Sequence, residues 1–324
     1  MLETAVLCFQ CIGTLRDECG RGRRVGEVTG RHQRRSGKFL WGVVGVLVAV
    51  VGLSGCGVGA PGPDDSVRAR LDPVSGEIVM PMDEYAFYGR HADRRTFTAA
   101  VEAVVGECME AKGFTYAVAQ VQADPSTDLD DRTFGIWEEQ RAARYGWGHA
   151  VSPLSAALEK ARVVGGANWI AAYDACAETD ASVLKTMEAV TPPQDEYLNS
   201  LVSRLESEAL SNARKDGQWR EAREPWVKCL AEAGLTAEEG ESYASKQSSA
   251  LLGAGKAGNT EEGIRLASIE ARCNTTTRLT QRLADLEAAY QQPLIAANQA
   301  ALNKEKERKQ EFLLAARDYI NTHG

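Results

Sequence analysis

The sequence lacks the signatures that mark most enzyme chemistries. It has four histidines in 324 residues, and beyond residue 55 only His91, His149 and His323 remain. There is no Gly-x-Ser-x-Gly and no His-Glu-x-x-His, so neither a nucleophile elbow nor a helix-borne zinc pair is available. Gly253-Ala254-Gly255-Lys256-Ala257 falls short of a phosphate loop, because Ala250 stands where the first glycine is required and Ala257 where Ser or Thr should follow the lysine. It reads as a flexible loop. Asp124, Asp128, Asp130 and Asp131 could gather around calcium, but the central glycine and terminal glutamate of a hand-type loop are missing. They read instead as a solvated acidic turn. No metal site and no cofactor is expected.

Two further absences bound the class. Basic residues are not in excess: the formal charge is −8, and since residues 1–55 carry eight Lys/Arg against four Asp/Glu, the rest holds 29 basic and 41 acidic residues. Nucleic-acid binding needs clustered cations to displace counterions, so a nucleic-acid partner is not expected. No segment alternates apolar and polar residues over a strand's length with β-branched enrichment, which excludes a sheet-dominated body. With 44% hydrophobic and 25% charged residues the chain is globular. The expected fold class is mainly α, a disulfide-stapled helical body with at most a short strand pair, placed near Phe114 to Val121.

What is present begins with targeting. Arg31, Arg34, Arg35 and Lys38 precede the uncharged run Phe39 to Leu53, and small residues follow, the order of a secretory signal. Fifteen helical residues reach about 22 Å, short of the roughly 30 Å a transmembrane span must cross. Leu53-Ser54-Gly55-Cys56 resembles the lipobox of bacterial lipoproteins. That resemblance implies cleavage before Cys56, lipid on its sulfur, and anchorage to the outer face of the bacterial cytoplasmic membrane. Residues 28–55 are then the signal peptide. Residues 1–27 read as an upstream extension, with Val25 or Val28 as the true start if the gene uses a GTG codon. Cys8-Phe9-Gln10-Cys11 has the spacing of a zinc half-site, but no second pair follows.

Gly57 to Asp65 is rich in glycine and proline, and residues 56–93 read as a tether in which Ile78-Val79-Met80-Pro81-Met82 docks on the body. A helical pattern starts at Arg94, with Phe97, Val101, Val104, Val105, Cys108 and Met109 at steps of three and four. Further helices are expected over Ala156 to Ala177, Glu196 to Ala213 and Gln218 to Ala233. A last one starts from a cap at Asn259, is interrupted at Pro293, and carries the charged run Lys304 to Lys309 on a solvated face. Two helix ends match: Cys108-Met-Glu-Ala-Lys-Gly113-Phe114-Thr115 and Cys229-Leu-Ala-Glu-Ala-Gly234-Leu235-Thr236 are both Cys-x4-Gly-apolar-Thr. They read as an internal duplication into two helical halves, 94–190 and 194–324. A chance likeness of two helix ends is the alternative.

Cys108, Cys176, Cys229 and Cys273 form an even set in a chain expected outside the cytoplasm. Three pairings are open, and the duplication favours Cys108 with Cys176 and Cys229 with Cys273. Aromatic residues, only 7% of the chain, cluster once: Phe134, Trp137, Tyr145 and Trp147 fall within fourteen residues, with Arg141 and Arg144 between them. Rings beside guanidinium groups suit stacking on a glycan or peptide. Trp137, Arg141, Arg144, Tyr145 and Trp147 are therefore the ligand-binding candidates, with Tyr145 and Trp147 the expected exposed pair. The alternative is that Phe134 and Trp137 fill the core against Trp169.

The lipobox, the segment Met80-Pro81-Met82-Asp83-Glu84-Tyr85, the helix end Cys108 to Phe114 and Arg144-Tyr145-Gly146 together resemble a group of uncharacterised secreted lipoproteins of actinobacteria, over about residues 55–180. The resemblance implies localisation and carries no chemistry. The expected function is a membrane-tethered, non-enzymatic binding or scaffold module with a protein, peptide or cell-wall partner. The alternatives are the solute-capturing component of a transporter and an envelope hydrolase with an unrecognised site.

Overall fold

The structure is a computed structural model that describes residues 62–240 and 242–323. The lipidation residue Cys56, the signal segment 28–55, the upstream extension 1–27 and the start of the tether lie outside the described residues. Among the described residues, no helix is long and apolar enough to cross a membrane.

The fold is mainly helical. Among the described residues its one strand pair is a hairpin of β1 (Arg70–Asp72) and β2 (Glu77–Val79), antiparallel with Leu71 opposite Ile78. The sequence places a strand pair near Phe114 to Val121, but Ala117–Gln120 forms a 3-10 turn there. The helices are α1 (His91–Ala111), α2 (Glu139–Tyr145), α3 (Pro153–Asp174), α4 (Ala181–Val190), α5 (Gln194–Leu198), α6 (Leu201–Lys215), α7 (Gly217–Glu232), α8 (Lys246–Gly253), α9 (Glu261–Thr277) and α10 (Leu279–His323).

Most of these helices start where a short polar side chain can take an orphan N–H. Ser152, Asp180, Ser200, Asp216 and Ser245 each accept from the backbone N–H two or three residues on. Thr260 rather than Asn259 caps α9, accepting from Gly263. The Ser200 cap also explains why the expected helix over Glu196 to Ala213 is two, α5 and α6.

Helix α10 is the spine. At 1.5 Å per residue its 45 residues run about 65 Å. Leu279, Leu283 and Leu286 enter one apolar cluster with Trp219, Trp226 and Leu230. Ile295 and Leu302 join Met82, Tyr85, Val202 and Leu205 in the middle. Phe312, Leu313 and Ala316 pack with Phe97, Val104, Met109 and Trp169 at the far end. Pro293 does not end the helix. The departure from helical geometry comes five residues later, at Asn298 (φ −117°, ψ 15°), whose side-chain amide donates to Leu294 O.

Two expectations fail on the surface of α10. The charged run Lys304 to Lys309 is not wholly solvated, because Lys309 is only 3% exposed. Ile78, Met80 and Met82 dock on the body as expected, Met82 N donating to Gln291 Oε1 of α10, but the rest of the stretch up to Asp93 is not free tether either, because Ala69, Tyr85 and Phe87 are buried too. Single apolar residues without a helical period look like linker in composition, yet these join the apolar clusters of the helical body.

The cysteines pair as Cys108 with Cys176 and Cys229 with Cys273, Cα atoms 5.8 and 5.6 Å apart. Helices α1 and α7 end alike. Gly113 (φ +84°) and Gly234 (φ +78°) take the left-handed conformation, Phe114 N donates to Met109 O, and Leu235 N donates to Leu230 O. A helix so terminated turns its following apolar residue back toward the helix, and Leu235 and Phe114 join the apolar clusters that also hold the two disulfides.

Candidate functional site

The site is built where the chain between β2 and α2 is clamped to the junction of α9 and α10. Phe134 inserts edge-on against Trp219 and Tyr243, ring centroids 5.8 and 6.2 Å away. Its carbonyl accepts from Asn274 Nδ2 (3.0 Å) and Thr280 Oγ1 (3.1 Å). Gly135 (φ +88°) follows, and a Cβ there would stand 2.8 Å from Tyr243 O. That close approach delivers Trp137 to the surface half-buried, its indole N–H donating to Asp131 O and its carbonyl accepting from Thr275 Oγ1.

Beside this clamp opens a cleft of about 430 Å³, with Leu71, Pro73 and Trp137 on its apolar side and Glu139, Arg278 and Gln281 among its polar lining. The volume is in the range that holds a small ligand. Arg278 joins α9 to α10 in the left-handed region (φ 55°, ψ 35°), the one non-glycine residue with positive φ among the described residues. For a long side chain this conformation costs on the order of 1 kcal/mol.

Polar groups in the cleft divide into two kinds. Glu138 accepts from Arg141 N, Gln281 donates to Ala69 O and to Asp285, and Thr275, Asn274 and Thr280 are committed to neighbouring groups. The exposed side chains of Arg278 and Glu139 have no hydrogen bond or ion pair with any described residue.

Trp137 is thus the one sequence candidate in this cleft. Arg141 is 6% exposed, donating to Ser126 O (2.7 Å), Val74 O (3.3 Å) and Asp128 O. It ties three chain segments together and presents nothing to a ligand. Arg144 is exposed and lies over the ring of Tyr145, 5.3 Å from its centroid. Neither Tyr145 nor Trp147 is freely exposed. Trp147 donates through its indole N–H to Glu270 Oε2 (2.9 Å), its backbone N–H reaches Gly258 O, and Arg132 lies 5.5 Å from the ring centroid. Phe134 packs on Trp219 and Tyr243, whereas Trp169 belongs to the other end of the core.

Glu270, which sequence reading passed over, is 1% exposed and accepts from Ser245 N, Ser248 Oγ and Trp147 Nε1. Burial pushes its carboxyl up despite those donors. The signal was present: one acid within the apolar register Leu266, Ala267, Ala271, Cys273 of α9.

The aspartates do not converge. Asp124 caps a 3-10 turn, Asp128 faces Arg95 and His91, and Asp131 accepts from Thr133. Asp130, expected on a solvated turn, is 8% exposed. Burial opposes its ionisation, but His149, Arg132 and Arg141 overcome that and hold the carboxyl well below its ordinary range. His149 Nδ1 lies 3.3 Å from Asp130 Oδ1, and no hydroxyl or thiol of the described residues is hydrogen-bonded to this ring. Among the described residues, no three His, Cys, Asp or Glu side chains are grouped as a metal site.

Fold and cleft together define a helical body stapled by two disulfides, carrying a recess of small-ligand size. No family model matches the chain, and neither a curated protein nor a solved structure does.

Proposed function

We propose that the chain is a lipoprotein of the bacterial envelope, tethered by lipid on Cys56 to the outer face of the cytoplasmic membrane, whose helical body is a non-enzymatic binding or scaffold module. The observation that carries this reading is the state of the cysteines. All four beyond residue 56 are joined in two disulfides, with Cys108, Cys176 and Cys273 buried in the core. Such bridges persist where glutathione and thioredoxin do not reach. That agrees with the basic, apolar and small-residue order ending at Cys56. The recess beside Trp137 supports a binding role over a purely structural one.

Cell fractionation tests the reading. The wild-type chain is expected in the membrane fraction and the Cys56→Ser variant outside it or retained as uncleaved precursor. A Cys56→Ser chain that is processed and membrane-bound like the wild type would overturn the lipid tether.

A further inference from the structure

We infer that the cleft between Trp137 and Arg278 is a binding site for a carboxylated sugar ring. This inference deepens the binding-module reading and rests on it.

Three observations converge on that chemistry. The first is shape: a recess of about 430 Å³ takes one or two sugar rings and is too small for a folded partner. The second is the wall. Trp137 is half-buried against the core and held by both its indole N–H and its carbonyl, so the part that lines the recess is a fixed surface, with Leu71 and Pro73 beside it. A fixed indole flanked by aliphatic groups suits the apolar C–H surface of a pyranose.

The third is the electrostatics left unspent. The other polar liners are already paired, whereas Arg278 and Glu139 each offer a charged group to an incoming molecule. A guanidinium recognises a carboxylate through two parallel N–H donors. A carboxylate accepts from hydroxyl or amide N–H groups. One ligand satisfies both if it carries a carboxylate and several O–H or N–H donors around a ring. A plain anion leaves Glu139 opposed, and a neutral sugar leaves Arg278 unused.

Backbone geometry adds an argument of a different kind. Arg278 stands in the left-handed region where glycine would fit without strain. A strained arginine whose guanidinium pairs with nothing among the described residues is explained if that guanidinium has work in a complex.

The test uses the purified full chain in detergent and three probes: N-acetylmuramic acid, which has ring and carboxylate; N-acetylglucosamine, which has the ring alone; and lactate, which has the carboxylate alone. Titration calorimetry is expected to show saturable binding of the first, at least tenfold tighter than of either fragment. Arg278→Gly is expected to weaken that binding tenfold or more while the melting temperature stays level or rises. Trp137→Phe keeps a ring in place and is expected to weaken it less. Three results overturn the assignment: no saturable binding of any probe, equal binding of all three, or binding unchanged in Arg278→Gly. None of them touches the lipid tether, which stands or falls by fractionation of the Cys56→Ser chain.

Discussion

Lys309 and Asp93, 216 residues apart in sequence, meet in the interior: Lys309 Nζ lies 3.1 Å from Asp93 Oδ2 and 3.2 Å from the main-chain oxygen of Asp83. The pair pins the first turn of α1 onto the last third of α10. Lys309 is buried and the Asp93 side chain is 15% exposed, so removing the lysine leaves a poorly solvated carboxylate without its nearest cation. Lys309→Ala is therefore expected to lose about 3 kcal/mol of unfolding free energy. The double variant Lys309→Met with Asp93→Asn leaves no charge stranded and should recover most of that in urea denaturation. A loss in the double variant as large as in the single one would show that the contact is packing rather than charge.

The two disulfides close loops spanning 68 and 44 residues. In the chain-entropy model each contributes about 4 kcal/mol by restricting the unfolded chain. Replacing either pair with alanines is expected to lower the unfolding free energy by a similar amount and the denaturation midpoint with it, the Cys108–Cys176 pair slightly more. If one replacement leaves the midpoint unchanged, that bridge is absent from the native protein.

Asp130 and Glu102 make opposite contributions to pH dependence. The Asp130 carboxyl is held below its ordinary 3.8, so its stabilisation is fully present above that pH and is lost as pH falls through the native value. Asp130→Asn should flatten the acid limb of a stability profile and cost stability at neutral pH. Burial pushes Glu102 above its ordinary 4.5, against the hydrogen bond from Tyr116. Its folded state holds a proton longer than the unfolded one, so stability falls as pH rises from 4.5 through the native value. Glu102→Gln, which can still accept from Tyr116, should remove that fall and be at least as stable as the wild type at pH 8. An unaltered slope in either variant contradicts the assignment.

Glycines with positive φ separate strain from collision. At Gly234 (φ +78°) a Cβ meets nothing within 4 Å, whereas at Gly146 (φ +61°) it would stand 2.3 Å from Gly258 O. Gly234→Ala should cost about 1 kcal/mol, the left-handed penalty alone. Gly146→Ala should cost clearly more, and its melting temperature should fall further. Equal losses would mean that the Tyr145 to Trp147 segment does not lie against Gly258.

The repeated Cys-x4-Gly ends made the disulfide pairing legible, because a glycine stop fixes how the chain leaves a helix and so where its cysteine can reach. Apolar periods and polar caps placed most helices within a few residues. Features created by long-range packing were not legible. Met82 was legible as part of a docking segment, but Phe87 has no periodic neighbours, so nothing local distinguishes it from linker. Lys309 sits in a run of charges and reads as solvent-facing until α10 brings it against Asp83 and Asp93. Trp137 was readable as a candidate from composition, but Arg278 was not, since its conformation and its unpaired guanidinium arise only at the junction of two helices. Arg141 shows the converse: an arginine among aromatics that packing spends on three backbone carbonyls.

The most direct test of the proposed tether is the mass of the mature N-terminal peptide from the membrane fraction. The account predicts a peptide beginning at Cys56 and carrying diacylglycerol on its sulfur. An unmodified peptide spanning Gly55 and Cys56 in the mature membrane-bound chain would contradict it.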